Sequence, residues 1–153
     1  MIKRIFPDVA DNNYQGSKLA LYFLYPFALM TVTRSLIHMF MTDGGAQSIA
    51  TIPLDSYSSG AADAVIHIFA EWGLTQLLFG LLYVVVLWRY RTLIPLIYLF
   101  IFVEYSVRFL LTQYKPMELE GTAPGGVVNY IFPAIALLMF ALAIRKGKVN
   151  TNR

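Results

Sequence analysis

Six ionisable side chains interrupt otherwise apolar stretches of this chain, and they form three pairs, each four residues apart: Arg34 with His38, His67 with Glu71, and Glu104 with Arg108. At about 100° per residue this spacing stacks both members of a pair on one helix face, one turn apart. Thr31 extends the first face, Asp63 and Thr75 the second; Tyr105 borders Arg108, and Asn129 opens the last apolar stretch. Guanidiniums bind carboxylates, phosphates and carbonyl oxygens through paired hydrogen bonds, and imidazoles exchange protons near neutral pH. The residue types therefore assign ligand binding to Arg34, Arg108, Glu104, Tyr105 and Asn129, and proton handling or catalysis to His38, His67 and Glu71.

A metal centre is the alternative chemistry. His67 and Glu71 have a ligand spacing, and His38 with Glu104 would complete a two-histidine, two-carboxylate shell suited to zinc, iron or manganese. Two arginines in the same layer compete with a metal for those carboxylates, so the ion-pair reading ranks first. Ser35 and Ser58 lie near the histidines in sequence without nucleophile-elbow spacing. With no cysteine among 153 residues, thiolate chemistry and disulfides are excluded.

The elements that must position these groups are apolar and long. The chain is 58% hydrophobic and 14% charged, with a mean hydropathy of +0.59; soluble domains run at about 45–50% and about 25%. Apolar runs span about residues 19–42, 64–88, 93–112 and 127–144, each long enough at about 1.5 Å per residue to cross a bilayer core of about 30 Å. A soluble bundle needs a polar stripe along each helix, and these runs are apolar nearly all round. The expected fold is all-α: a polytopic four-helix transmembrane bundle, one integral membrane domain over residues 1–153. Pro7, Asp8, Asp11, Asn12 and Asn13 precede the first run, so it reads as a retained span rather than a cleaved signal peptide. Only Arg89-Tyr90-Arg91 separates the second and third runs, which predicts a tight antiparallel hairpin.

Basic residues suggest the orientation. Lys3, Arg4 and Lys18 precede the first span, Arg89 and Arg91 occupy the tight turn, and Arg145, Lys146, Lys148 and Arg153 follow the last; the two other loops carry only Lys115. The positive-inside rule then places both termini in the cytoplasm, consistent with a bacterial plasma membrane. The net charge of +3 reads as a topology signal, with no basic run long enough to track a nucleic acid. Tyr22, Trp88 and Tyr90 suit the inner interface, Tyr57 and Tyr114 the outer. Measured from the outer ends, Arg34, Glu71 and Glu104 fall about 12–14 Å deep and His38, His67 and Arg108 about 5–9 Å deep. Charge at that depth is driven out of lipid, so the three faces are expected to converge inside the bundle, Arg34 with Glu71 and Arg108 with Glu104 or Glu71. Glycine-rich loops at 42–63 and 114–126 would roof the pocket. Gly73 and Gly80 are expected to allow close helix approach, and Pro26, Pro95 and Pro133 to kink their helices.

The stretch Phe69-Ala-Glu-Trp-Gly-Leu-Thr-Gln-Leu-Leu-Phe-Gly80, running into a basic turn and a third apolar helix, resembles the corresponding region of DoxX-like small four-helix membrane proteins. The resemblance covers about a third of the chain, and Glu71 and Gly80 match by position. It implies four spans with both termini inside and an association with membrane oxidoreductase systems, hence quinone or redox partners. The first span departs from that pattern: it is not glycine-rich and carries Arg34 and His38.

The functional expectation is an intramembrane pocket on the extracytoplasmic side that binds a polar or anionic small molecule, a lipid headgroup or a quinone, in a redox or lipid-modifying system. Two other classes compete. An accessory subunit of a larger membrane complex, or a homo-oligomer, would use the polar cluster only for packing. A proton-coupled transporter would need polar groups in both membrane halves, and the cytoplasmic half has none before the interface.

Overall fold

A computed structural model of the chain describes residues 2–145. Lys146, Lys148 and Arg153 of the C-terminal basic cluster lie outside the described residues. A short helix α1 (Ile2–Ile5) precedes four long ones: α2 (Lys18–Phe40), α3 (Ser59–Arg89), α4 (Ile94–Tyr114) and α5 (Pro124–Ile144). No strand occurs among the described residues. All four long helices are apolar and long enough to cross a membrane, and the chain is an integral membrane protein.

The spans match the apolar runs in number and order, with one shifted boundary that matters. Helix α3 begins at Ser59 rather than near residue 64 and runs for 31 residues, about 47 Å at 1.5 Å per residue. That exceeds the roughly 30 Å hydrocarbon core, so α3 is longer than a span along the bilayer normal requires. Hydropathy marks where hydrocarbon ends, whereas the hydrogen-bonded turns continue through Gly60-Ala-Ala-Asp63 as far as Ser58, whose extended backbone stops them. Pro124 sits in the first turn of α5, where its missing N–H costs nothing. Pro95 does the same for α4, so it starts a helix instead of kinking one; Pro26 and Pro133 are interior.

The connection between α3 and α4 is as tight as expected, one residue and a 3-10 turn. The two helices nevertheless do not pack along their length. Helix α3 packs on α2, α4 packs on α5, and α2 also meets α5, which leaves α3 and α4 splayed. Gly73 and Gly80 explain the α2–α3 pairing. A Cβ at Gly73 would lie 2.8 Å from His38 Cβ and 3.0 Å from the Ser35 carbonyl oxygen, and one at Gly80 would lie 2.8 Å from Val32 Cγ2. Only glycine lets these backbones come so near.

The main core fills the half of the bundle near the basic end. Leu24, Phe27, Tyr83, Val86, Ile97, Tyr98, Ile101 and Met139 are buried there. The N-terminal segment is fastened across the same end. Asp11 and Thr92 exchange backbone and hydroxyl hydrogen bonds, Asn12 Nδ2 donates to the Trp88 carbonyl at 3.1 Å, and Arg4 donates to the last carbonyl of α5, Ile144. Tyr14 is held against this end, and burial raises its phenol pKa.

At the opposite end, residues 41–58 fold into a small cap. Gly44 and Gly45 take left-handed backbone angles, φ +59° and +73°, which glycine adopts without steric cost. The Asp43 carboxylate accepts the amides of Gly45 at 2.9 Å and Ser48 at 2.7 Å. Burial pushes the Asp43 pKa up, but these amide bonds outweigh it and the net shift is downward. Ala46, Ile52 and Leu54 form a minor core against Val65, Ile66 and Phe69 of α3. Thr51, also left-handed, clasps the second loop: its carbonyl accepts the Glu120 amide at 2.9 Å and its hydroxyl donates to the Gly121 carbonyl at 3.1 Å.

Candidate functional site

Three spans, α2, α3 and α4, bring polar groups together, and the indole of Trp72 is their meeting point. The guanidinium carbon of Arg34 lies 5.9 Å from the Trp72 ring centre and that of Arg108 lies 4.9 Å from it, both within cation–π range. His38 stacks on the same indole, with centroids 5.0 Å apart and planes at 25°. Arg34 Nε donates to Gln76 Oε1 at 3.0 Å, across the α2–α3 interface that the glycines create. Within α4, Arg108 Nε donates to Glu104 Oε1 at 3.0 Å, closing an ion pair one turn long.

Six residues inside the end of its helix that lies away from the basic cluster, each arginine sits about 9 Å from that end, so Arg34 and Arg108 share a level. Gln76 lies 13 residues from Arg89, about 20 Å from the basic end of α3, which puts it at a comparable height. Beneath this layer the rings of Phe27, Tyr105 and Phe132 pack at 4.7–6.2 Å, and Phe27 also meets Tyr83 at 5.8 Å. That aromatic floor keeps the polar groups in one half of the membrane.

The site differs from the expected one in its α3 face. His67 and Glu71 bond each other at 3.3 Å with their side chains 75% and 70% exposed, and neither meets the arginines. The cause is the rotation of α3. Gly73 and Gly80 must face α2, and at about 100° per residue Glu71 lies about 160° around the helix from Gly73 and His67 about 120°. The expected Arg34–Glu71 pair is therefore replaced by Arg34–Gln76, because Gln76 lies only about 60° from Gly73. The Arg108–Glu104 pair is present as expected.

His38 is buried beside the site rather than open to water. Its Nδ1 lies 2.7 Å from the Gly44 carbonyl, which can only accept, so Nδ1 carries the proton. Phe69 covers its ring edge-on at 5.4 Å. Tyr105 is buried beneath Arg108, whose guanidinium carbon is 5.5 Å from its ring. Asn129 is half-buried in the second turn of α5 and, among the described residues, makes no side-chain hydrogen bond to either arginine. Among the described residues no three histidine, aspartate or glutamate side chains come together, so His38, His67, Glu71 and Glu104 do not make a metal shell.

Two participants, Trp72 and Gln76, were not read from the sequence as site residues. The available signal was their register with Gly73 and Gly80, which marks the face of α3 that meets α2. Gln76 is 4% exposed, and among the described residues its amide nitrogen has no hydrogen-bond partner; neither has the hydroxyl of Tyr105. Buried donors left in this state are uncommon and costly. Gln76, Glu104 and Arg108 line a cleft of about 550 Å³ between α3 and α4, within the roughly 300–1,000 Å³ range of small-molecule sites.

No family model, curated protein or solved structure matches this chain.

Proposed function

We propose that this protein binds a ligand carrying an anionic or carbonyl oxygen head, a polar small molecule, lipid headgroup or quinone, inside the membrane between α2, α3 and α4. One observation carries the reading: the part-buried guanidinium of Arg108 and the buried amide of Gln76, whose nitrogen has no partner among the described residues, line one open cleft, with the part-buried Arg34 bonded to that amide's oxygen. Among the described residues Arg34 donates only to a neutral amide oxygen, so no carboxylate cancels its charge. An ionised side chain within a span costs about 2.5–3.5 kcal/mol on insertion scales, and an anionic ligand offsets that cost. In this assignment Arg108 and Gln76 bind the ligand, Arg34 orients Gln76, Glu104 orients Arg108, and His38 buttresses Trp72.

The site lies in the half of the bilayer away from Lys3, Arg4, Lys18, Arg89 and Arg91, which the fold gathers at one end. With that end cytoplasmic, both termini are inside and the site faces the outer leaflet, as in a bacterial plasma membrane. A quinone ligand would agree with the membrane oxidoreductase setting that the DoxX-like resemblance of residues 69–80 implies.

The test uses Trp72 itself. The chain has two tryptophans, and Trp88→Phe leaves Trp72 as the only indole. Titrating oleate into this variant in non-ionic micelles should change Trp72 emission saturably, with about tenfold weaker binding after Arg108→Gln, equivalent to about 1.4 kcal/mol. An unsaturable response, or equal binding by Arg108→Gln, overturns the proposal. Orientation is checked separately in the cysteine-free background: Ser48→Cys should react with impermeant maleimide on intact cells and Gln15→Cys should not.

A further inference from the structure

The cleft that reaches Gln76 and Arg108 opens in an unusual direction. Its floor is buried, with Gln76 4% and Tyr83 2% exposed, but its rim is not: Phe79, Phe100 and Val103 are 44%, 51% and 49% exposed. Those rim residues belong to spans, so the medium they face is hydrocarbon. The opening exists because α3 and α4, though consecutive, pack on α2 and α5 instead of on each other.

The α2–α3 side of the site is covered. His38 stacks on Trp72, and Phe69 packs edge-on against both rings. The minor core of Ala46, Ile52 and Leu54 lies over Phe69, and Thr51 ties that cap to the second loop. A solute approaching along the α2–α3 side meets this cover, whereas a molecule already dissolved in the bilayer reaches the donors past the apolar rim of Phe79, Phe100 and Val103.

We infer that the ligand is a single-chain amphiphile with a carboxylate or phosphate head, which enters sideways from the bilayer between α3 and α4. Its head takes the Gln76 amide and Arg108, and its chain lies against Phe79, Phe100 and Val103. The volume agrees with one chain: at roughly 30 Å³ per water-sized group, 550 Å³ holds about 18 heavy atoms. A second chain would have to stay in the surrounding lipid. This inference rests on the site being an anion site, and adds the class of ligand and its route.

The experiment uses the Trp88→Phe protein in phosphatidylcholine nanodiscs and stearate brominated at mid-chain, a short-range quencher of indole. Expected are saturable quenching of Trp72, reversal by oleate, and only unsaturable background from the brominated methyl ester, which partitions equally but lacks the acid. Millimolar acetate and phosphate should leave the emission unchanged. Val103→Phe, a substitution on the lipid-exposed rim, should narrow the mouth and weaken stearate binding about tenfold while leaving the Arg34–Gln76 bond in place. If acetate or phosphate act on Trp72 in an Arg108-dependent way and the brominated acid does no better, the lateral route is wrong and the anion site stands. If no acid acts, or Arg108→Gln changes nothing, both are wrong.

Discussion

The guanidinium of Arg108 on α4 lies 4.9 Å from the centre of the Trp72 ring on α3, so a cation–π contact spans two helices that otherwise stand apart. Such a contact is worth about 0.5–2 kcal/mol, more when desolvated. It places a charge at the edge of the cleft without consuming all of the guanidinium's donors, several of which stay open to a ligand.

Glu104 competes with any anion for Arg108. Replacing it by glutamine should make the site more positive and tighten binding of brominated stearate several-fold, while lowering the unfolding temperature because a charged partner of Arg108 is lost. Unchanged or weaker binding in nanodisc titrations would show that Arg108 does not recognise the head.

Gln76→Leu removes the single hydrogen-bond acceptor that Arg34 Nε has among the described residues. Leaving a part-buried charged donor unsatisfied should cost about 1 kcal/mol or more in detergent unfolding experiments. Adding Arg34→Met should recover much of that loss, because an apolar pair replaces an orphaned charge. Additive losses in the double variant would mean that the two residues are not coupled.

Gly73→Ala and Gly60→Ala should act in opposite directions. At Gly73 the new methyl meets His38 Cβ at 2.8 Å and Met39 Cγ at 3.0 Å, so α2 and α3 must separate, at about 1–3 kcal/mol. At Gly60 nothing lies within 4 Å, and alanine's helix propensity favours it by up to about 1 kcal/mol. Unfolding temperatures measured side by side decide the matter; a neutral Gly73→Ala would refute the close approach.

His67 and Glu71 form an exposed pair, worth less than about 1 kcal/mol. Glu71→Gln should therefore leave both stability and brominated-stearate binding unchanged. A loss of binding in that variant would reinstate Glu71 as a site residue.

The cap should loosen in acid. The Asp43 pKa is lower in the folded protein than its ordinary value of 3.8, so its contribution to cap stability is complete above that value and fades as pH falls through the folded value. Protection of the Gly45 and Ser48 amides against hydrogen exchange, taken relative to the intrinsic rate at each pH, should fall as pH drops below 3.8. Asp43→Ala should show the low protection at all pH values; identical protection in both proteins would remove the carboxylate from this role.

Hydrophobic patterning alone determined that this chain has four spans, and charge in apolar surroundings marked Arg34, His38, His67, Glu71, Glu104 and Arg108 as groups expected to converge, of which His67 and Glu71 stay exposed. Spacing within one helix also predicted the Glu104–Arg108 pair, since four residues make one turn wherever the helix goes. The azimuth of α3 was decided only in three dimensions. Spacing shows that His67 and Glu71 share a face, but which face meets α2 depends on where the backbones can approach. Gly73 and Gly80 settle that by steric exclusion, turning Glu71 outward and Gln76 inward. The same holds for the cleft: the short link between α3 and α4 suggests a packed pair, and only the stronger packing of each on another helix pulls them apart and opens the site to lipid.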